Sequence, residues 1–201
     1  DVPSHEWVYQ YIYQDKSKGG KLHQHLRHQK TYRKRGYKNT DRRGQLVDRT
    51  SIHCRDEVIE KRQRLGDFEG DTVIGKNHKG ALLTLVERKS LYVHIVHLGQ
   101  TRTTAKTISC ALACLRSSHA YSVTFDNGKE FSEHWRITDA GIETYFADPY
   151  KSIQPARNEN TNGLIRQYLP KSSSFDHVSK EQIEQIETAL NNRPRKTLGW
   201  Y

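Results

Sequence analysis

Apolar positions change period twice along this chain. Trp7, Val8, Tyr11 and Ile12 recur at helical spacing. Ser4 stands where an N-cap is needed, and Glu6 falls in the first turn, where the helix dipole favours an acid. Ser4–Asp15 is therefore predicted to be an amphipathic helix. Residues 16–65 sustain no period, apart from a short helical stretch around Leu22–His28. From Gly66 the pattern turns to strands. Asp67–Ile74 alternates and ends in β-branched residues, and Ala81–Glu87 and Leu91–Leu98 are rich in Leu, Val and Ile. Thr101–Arg116 carries Ala105, Ile108, Leu112 and Leu115 on one helical stripe. Tyr121–Phe125 is a strand stopped by Asp126-Asn127-Gly128, a turn signal. Lys129–Asp139 follows as a helix, Ile142–Ala147 as a fifth strand, and Asn158–Tyr168 as a helix. Ser179 with Gln182 forms a capping box for a last helix bearing Ile183, Ile186 and Leu190.

Three meandering strands followed by alternation predict an α/β fold, a mixed five-stranded sheet flanked by helices in the ribonuclease-H-like order. The domain expectation is a helix over 1–15, read as the final helix of a helix-turn-helix, a basic linker over 16–65, and the sheet domain over 66–201.

Charge sharpens this division. The chain carries 33 Lys+Arg against 23 Asp+Glu, a formal net charge of +10. Most of the excess lies before residue 66, and Asp41 is the one acid within 16–43. The run Tyr32-Arg33-Lys34-Arg35-Gly36-Tyr37-Lys38 interleaves rings with cations. Such a stretch attracts a polyanion by counterion release and stacks on bases or sugars. His23, His25 and His28 lack a Cys or carboxylate to complete a metal site and are read as part of this basic surface.

No apolar run approaches the roughly 18 residues of a membrane span. Three cysteines (Cys54, Cys110 and Cys114) make an odd count without framework spacing, which predicts free thiols and a reducing compartment. Cys110 and Cys114, four apart on the predicted helix, are read as small core residues rather than metal ligands. The chain has no methionine and starts Asp1-Val2-Pro3, so it is expected to be a fragment of something longer.

Phosphodiester chemistry on nucleic acids commonly uses two divalent metals held by carboxylates from separate elements. Asp126, just past a strand end, is one candidate; its competing reading is a turn-forming Asp. Asp67, Glu69 and Asp71 share one face of the first strand. A charge at the centre of a buried strand is costly without a partner, which favours Asp71. Asp67 and Glu69, nearer the start, are expected at the surface. Glu159 opens a helix on which Gly163 and Arg166 share its face. Gly163 leaves room for a phosphate backbone or a neighbouring strand, and Arg166 is a candidate phosphate contact.

The blocks Gly66–Thr72 (GDFEGDT), Ala81–Lys89 (ALLTLVERK), Thr124–Phe131 (TFDNGKEF), Tyr145–Tyr150 (YFADPY), Asn158–Tyr168 (NENTNGLIRQY) and Leu190–Trp200 (LNNRPRKTLGW) resemble the integrase catalytic core of bacterial insertion-sequence transposases, in the insertion-sequence-thirty family. The resemblance covers nearly the whole chain. It implies an Asp-Asp-Glu triad at Asp71, Asp126 and Glu159, which both catalyses and holds two Mg²⁺ ions, with Mn²⁺ able to substitute. It further implies DNA cleavage and strand transfer on double-stranded DNA, both terminal inverted repeats and target. A homo-oligomer assembled on DNA, a cytoplasmic, nucleoid-associated location and no membrane association follow from the same resemblance. Arg33, Lys34, Arg35, Lys38, Lys129 and Arg166 are the expected DNA contacts. The chain departs from the family pattern at Ser152-Ile153-Gln154-Pro155-Ala156, and His134–Gly141 is about one residue short. The alternative expectation is a truncated, weakly active or inactive remnant that only binds DNA.

Overall fold

The computed structural model describes residues 4–26, 46–100, 103–148, 156–195 and 198–199, without the side chains of Ala156, Arg157 and Glu159. The chain divides into two compact units, residues 1–44 and 45–201. Arg33, Lys34, Arg35 and Lys38 lie outside the described residues.

In the first unit, α1 (His5–Ser17) begins where its sequence predicts, with the Ser4 side chain accepting the Trp7 N–H. None of its residues is buried, and Trp7 and Tyr11 stack at 5.4 Å on its exposed surface. A 3-10 turn at Leu22–His25 follows.

The second unit opens with β1 (Thr50–Ser51) and a one-turn α2 (Glu57–Glu60). Next come β2 (Asp67–Ile74), β3 (Ala81–Glu87), β4 (Val93–Gly99), α3 (Thr104–Ser117) and β5 (Ser122–Phe125). The chain continues through α4 (Trp135–Thr138), β6 (Glu143–Phe146), α5 (Ala156–Tyr168) and α6 (Lys180–Asn191). The sheet order is β1-β6-β5-β2-β3-β4. Strands β2, β3 and β4 form an antiparallel meander, while β5 and β6 run parallel to β2. This is the expected ribonuclease-H-like mixed sheet with one strand more than predicted. The sixth, β1, is two residues long and pairs in parallel with the β6 edge.

That added strand moves the expected linker boundary. Leu46, Ile52 and Ile59 are buried, so the chain from 46 to 65 packs on the sheet unit instead of continuing the linker. Its apolar residues are too sparse to show a period, and their partners are distant in sequence.

Helices cover both faces. Phe68, Leu83, Leu85, Val123 and Phe125 meet Ile108, Ala111 and Leu115 of α3. Val73, Leu82, Val86, Val93 and Ile95 meet Ile165 of α5 and Ile183, Ile186 and Leu190 of α6. Each such side chain contributes about 1.5–3 kcal/mol on burial. Three residues of the predicted α3 stripe, Ile108, Leu112 and Leu115, pack on the core, and the fourth does not. Thr107, Ile108, Ala111 and Leu115 are buried, whereas Ala105 is exposed. Lys129–Asp139 is a 3-10 turn (Lys129–Phe131) and the single turn α4, not one continuous helix. Cys110 and Cys114 pack against the α3-side core as free thiols, and Cys54 is exposed and free.

The β4 edge is closed by α6. Asn191 accepts the Val93 N–H at 2.9 Å and donates to the Val93 carbonyl at 2.8 Å, and Glu187 accepts the Ile95 N–H at 2.7 Å. These side chains imitate a neighbouring strand and remove the unpaired row that invites aggregation. The α6 capping box is formed as predicted. No helix among the described residues is long and apolar enough to cross a membrane.

Candidate active site

Parallel pairing of β2 with β5 ends at Gly70 opposite Phe125. The next residue on each strand is a carboxylate, Asp71 on β2 and Asp126 just beyond β5. Adjacent strands lie about 4.8 Å apart, so the two acids stand side by side where this parallel pairing stops, just past the end of β5 and midway along β2. Open α/β sheets bind ligands at this crevice. Gly70 is required here: a Cβ would fall 2.3 Å from Cε1 of Phe125. The Phe125 ring lies over the strand and stacks on Phe131 at 4.1 Å, anchoring the turn that follows Asp126.

Asp71 is only half-buried, with both oxygens held. Oδ1 accepts the Thr72 N–H at 2.7 Å, and Oδ2 accepts from Asn162 Nδ2 of α5 at 2.7 Å. Burial, then the Asp126 charge, pushes its carboxyl up to about 6, and Glu130 adds to the rise; the two hydrogen bonds oppose it. Asp126 Oδ1 accepts the Gly128 N–H at 2.9 Å. Asn127 is tied to the Ala147 carbonyl at 2.6 Å and to the Arg49 guanidinium.

Helix α5 brings the third candidate. Glu159 lies three residues before Asn162, the helix spacing of neighbours on one face. The Gly163 position is exposed, and nothing lies within 4 Å of a Cβ built there. Lys129 is exposed, three residues beyond Asp126. Arg166 is placed differently from a phosphate contact. Its Nη2 donates to the Ile74 carbonyl at 2.8 Å, and its guanidinium lies over the Phe175 ring.

Asp67 and Glu69 correct the expectation of surface carboxylates. They are 0% and 1% exposed, because β2 is central and β3 and β5 flank its beginning. Arginines pair them. Arg64 binds Asp67 through Nε and Nη2, and Ser122 donates to Asp67 at 2.7 Å. Arg88 Nη1 stands 3.3 Å from Glu69, and the Arg55 guanidinium contributes a second positive charge. Desolvation raises the Glu69 carboxyl, and the arginines lower it.

Residue patterning missed Glu130 and the bond from Asn162 to Asp71. Glu130 accepts from the Thr72 hydroxyl at 2.6 Å beside Asp71. Its signal was an acid four residues after Asp126. Asn162 carried none, since an Asn near a helix start usually serves the helix itself. Among the described residues, no group of three His, Cys, Asp or Glu is placed to hold a metal ion.

The sheet order and paired carboxylates define an α/β protein of ribonuclease-H-like topology with an acidic crevice. No protein-family model matches the chain. It is 47% identical over 201 residues to the transposase for insertion sequence element IS4351 of Bacteroides fragilis, covering 98% of this chain and 61% of the relative. The transposase for insertion sequence element IS1086 of Cupriavidus metallidurans is 38% identical over 206 residues, covering 98% of this chain and 60% of that one. Transposase InsI for insertion sequence element IS30A of Escherichia coli is 38% identical over 176 residues, covering 86% and 45%. A simian T-cell lymphotropic virus intasome superposes with a TM-score of 0.49 at 20% identity, covering 62% of this chain and 46% of that one. The chain belongs to the insertion-sequence transposase family that includes the IS30 elements, and it spans about three-fifths of the length of the first two relatives.

Proposed function

We propose that the chain is the strand-cleaving and strand-joining part of a transposase, with Asp71, Asp126 and Glu159 as its carboxylate triad. One observation carries the reading: Asp71 and Asp126 stand side by side at the mouth of a parallel strand pair, where burial and then the Asp126 charge raise Asp71 to about 6. Two acids crowded in a half-buried crevice, with Glu130 beside them, gather carboxylate oxygens in one place. Hard oxygen donors in that setting fit Mg²⁺ or Mn²⁺. Asp71, Asp126 and Glu159 would hold the ions.

Bound divalent ions supply Lewis-acid polarisation of the phosphoryl oxygens and a more acidic nucleophile. The chain's own part is positioning. Thr72 N–H and Asn162 fix the two oxygens of Asp71, and Gly128 N–H fixes Asp126. Lys129 meets a phosphate at the rim, and Arg33, Lys34, Arg35 and Lys38 track the DNA backbone. The substrates are double-stranded element ends and target DNA, handled by a homo-oligomer assembled on them.

The test is cleavage and strand transfer on DNA carrying the element ends, with Mg²⁺ or Mn²⁺ supplied. Wild-type protein should cut and join, and Asp126→Asn or Glu159→Gln should lose at least about 10²–10³-fold, the scale of removing one charge-stabilising group. Undiminished activity in either variant would remove the triad. Salt-sensitive binding without cleavage would leave a DNA-binding protein only.

A further inference from the structure

Beneath the crevice, on the same sheet face as Asp71, lies a second set of charges. Glu69 sits two residues before Asp71 on β2 and is 1% exposed. Directly opposite it on β5 is Thr124, also 1% exposed and two residues before Asp126. The backbone N–H of Asn158, the residue before Glu159 in the first turn of α5, donates to the Glu69 carboxylate. Arg88 places Nη1 3.3 Å from Glu69, and Arg55 donates from Nη1 to the Thr124 hydroxyl at 3.3 Å. Glu60 closes the set, paired with Arg55 and 3.9 Å from Arg88. The side chains of Arg88 and Arg55 are 3% and 5% exposed.

Each element that carries a triad residue thus touches this network one or two residues before that residue. A buried carboxylate at a helix N-terminus satisfies an orphan N–H and complements the dipole. Without it, nothing else described holds the first turn of α5 against the strands by a charged contact. An apolar filler would seat the helix sideways but would not fix its start along the axis.

We propose that Glu69, with Arg88 and Arg55, is a positioning device that sets the N-terminal turn of α5, and so the third triad carboxylate, against Asp71 and Asp126. This rests on reading those three acids as one site. Glu69 itself touches no substrate; it acts through α5.

Hydrogen–deuterium exchange of the metal-free chain tests it, read peptide by peptide. In Glu69→Ala the 156–162 peptide should exchange about tenfold faster than in wild type, while the β3 peptide, 81–87, should not change. Glu69→Gln keeps an acceptor for Asn158 and should fall between; if the alanine variant does not fold, this variant carries the comparison, with a rise of about threefold expected. Thermal stabilisation by Mn²⁺, titrated on the same proteins, should need about tenfold more metal in Glu69→Ala and show partial rescue in Glu69→Gln. Unchanged exchange over 156–162, or equal acceleration over 81–87, would overturn the proposal. Asp126→Asn separates the two readings: it should abolish the Mn²⁺ response and leave exchange over 156–162 as in wild type. If Mn²⁺ stabilises no form, the metal reading of the triad fails, and the exchange pattern still decides the positioning role.

Discussion

Asp71→Asn should remove activity and make the metal-free protein more stable. Burial and the neighbouring Asp126 move the Asp71 carboxyl from 3.8 to about 6. At 1.36 kcal/mol per unit, ionising it in the folded protein costs about 3 kcal/mol more than in the unfolded chain. The sign follows from linkage. An acid whose folded value is raised binds its proton more tightly when folded, so the penalty is absent below pH 4, grows between pH 4 and 6, and is complete above 6. Asparagine is neutral throughout. Its amide replaces one acceptor with a donor, so one of the two bonds from Thr72 N–H and Asn162 is weakened, costing about 1 kcal/mol. Solvent screening at a half-buried site trims the electrostatic gain further.

The expected outcome is a variant more stable than wild type by about 1–2 kcal/mol at pH 7.5, with the advantage gone by about pH 4. Urea denaturation in EDTA at three pH values between 4 and 8 measures it. Added Mg²⁺ should reverse the order, since wild type gains about 2.7 kcal/mol at one hundred times its dissociation constant and the variant gains nothing. A variant less stable than wild type at pH 7.5, or an advantage independent of pH, would refute the electrostatic account of the crevice.

Gly70→Ala should destabilise by about 3 kcal/mol or more, because its Cβ meets the Phe125 ring at 2.3 Å inside a paired strand; the urea midpoint reads this. Asn191→Ala should cost about 1–2 kcal/mol, removing both bonds to Val93; light scattering should also show association through the uncovered β4 edge. Ser179→Ala should cost about 1 kcal/mol through loss of the α6 cap, seen as a lower Tm with no change in Mn²⁺ response.

Elements whose period is local were readable. The α6 capping box and the three-strand meander stand where the sequence puts them, because each signal lies within a few residues of the element it shapes. β1 was not readable. Two residues, Thr50 and Ser51, become a strand only because Tyr145 and Phe146 supply an open edge. The α3 stripe failed at one position of its four. Alanine at 105 looked like core, yet Thr107 is the buried neighbour, its hydroxyl answered by the Thr103 carbonyl at 3.0 Å. Hydrophobicity alone does not report that a polar group is satisfied within its own helix.

The carboxylates show the same limit at the site. Asp67, Glu69 and Asp71 share one face of one strand, and an argument from desolvation cost predicts that the most buried acid holds a cation. It does, but for Asp67 and Glu69 the cations are guanidinium groups from Arg64, Arg88 and Arg55. Asp71 is more open than either; burial and then the Asp126 charge raise it, and its hydrogen bonds come from the Thr72 N–H and Asn162. Burial therefore separates structural from chemical carboxylates in the opposite sense to the one the strand pattern suggested. An acid with its countercharge built into the chain is finished as a structural element. An acid crowded against a second acid is instead a candidate for chemistry, which is why the proposed metal site is built on Asp71 and Asp126 and not on Asp67 and Glu69.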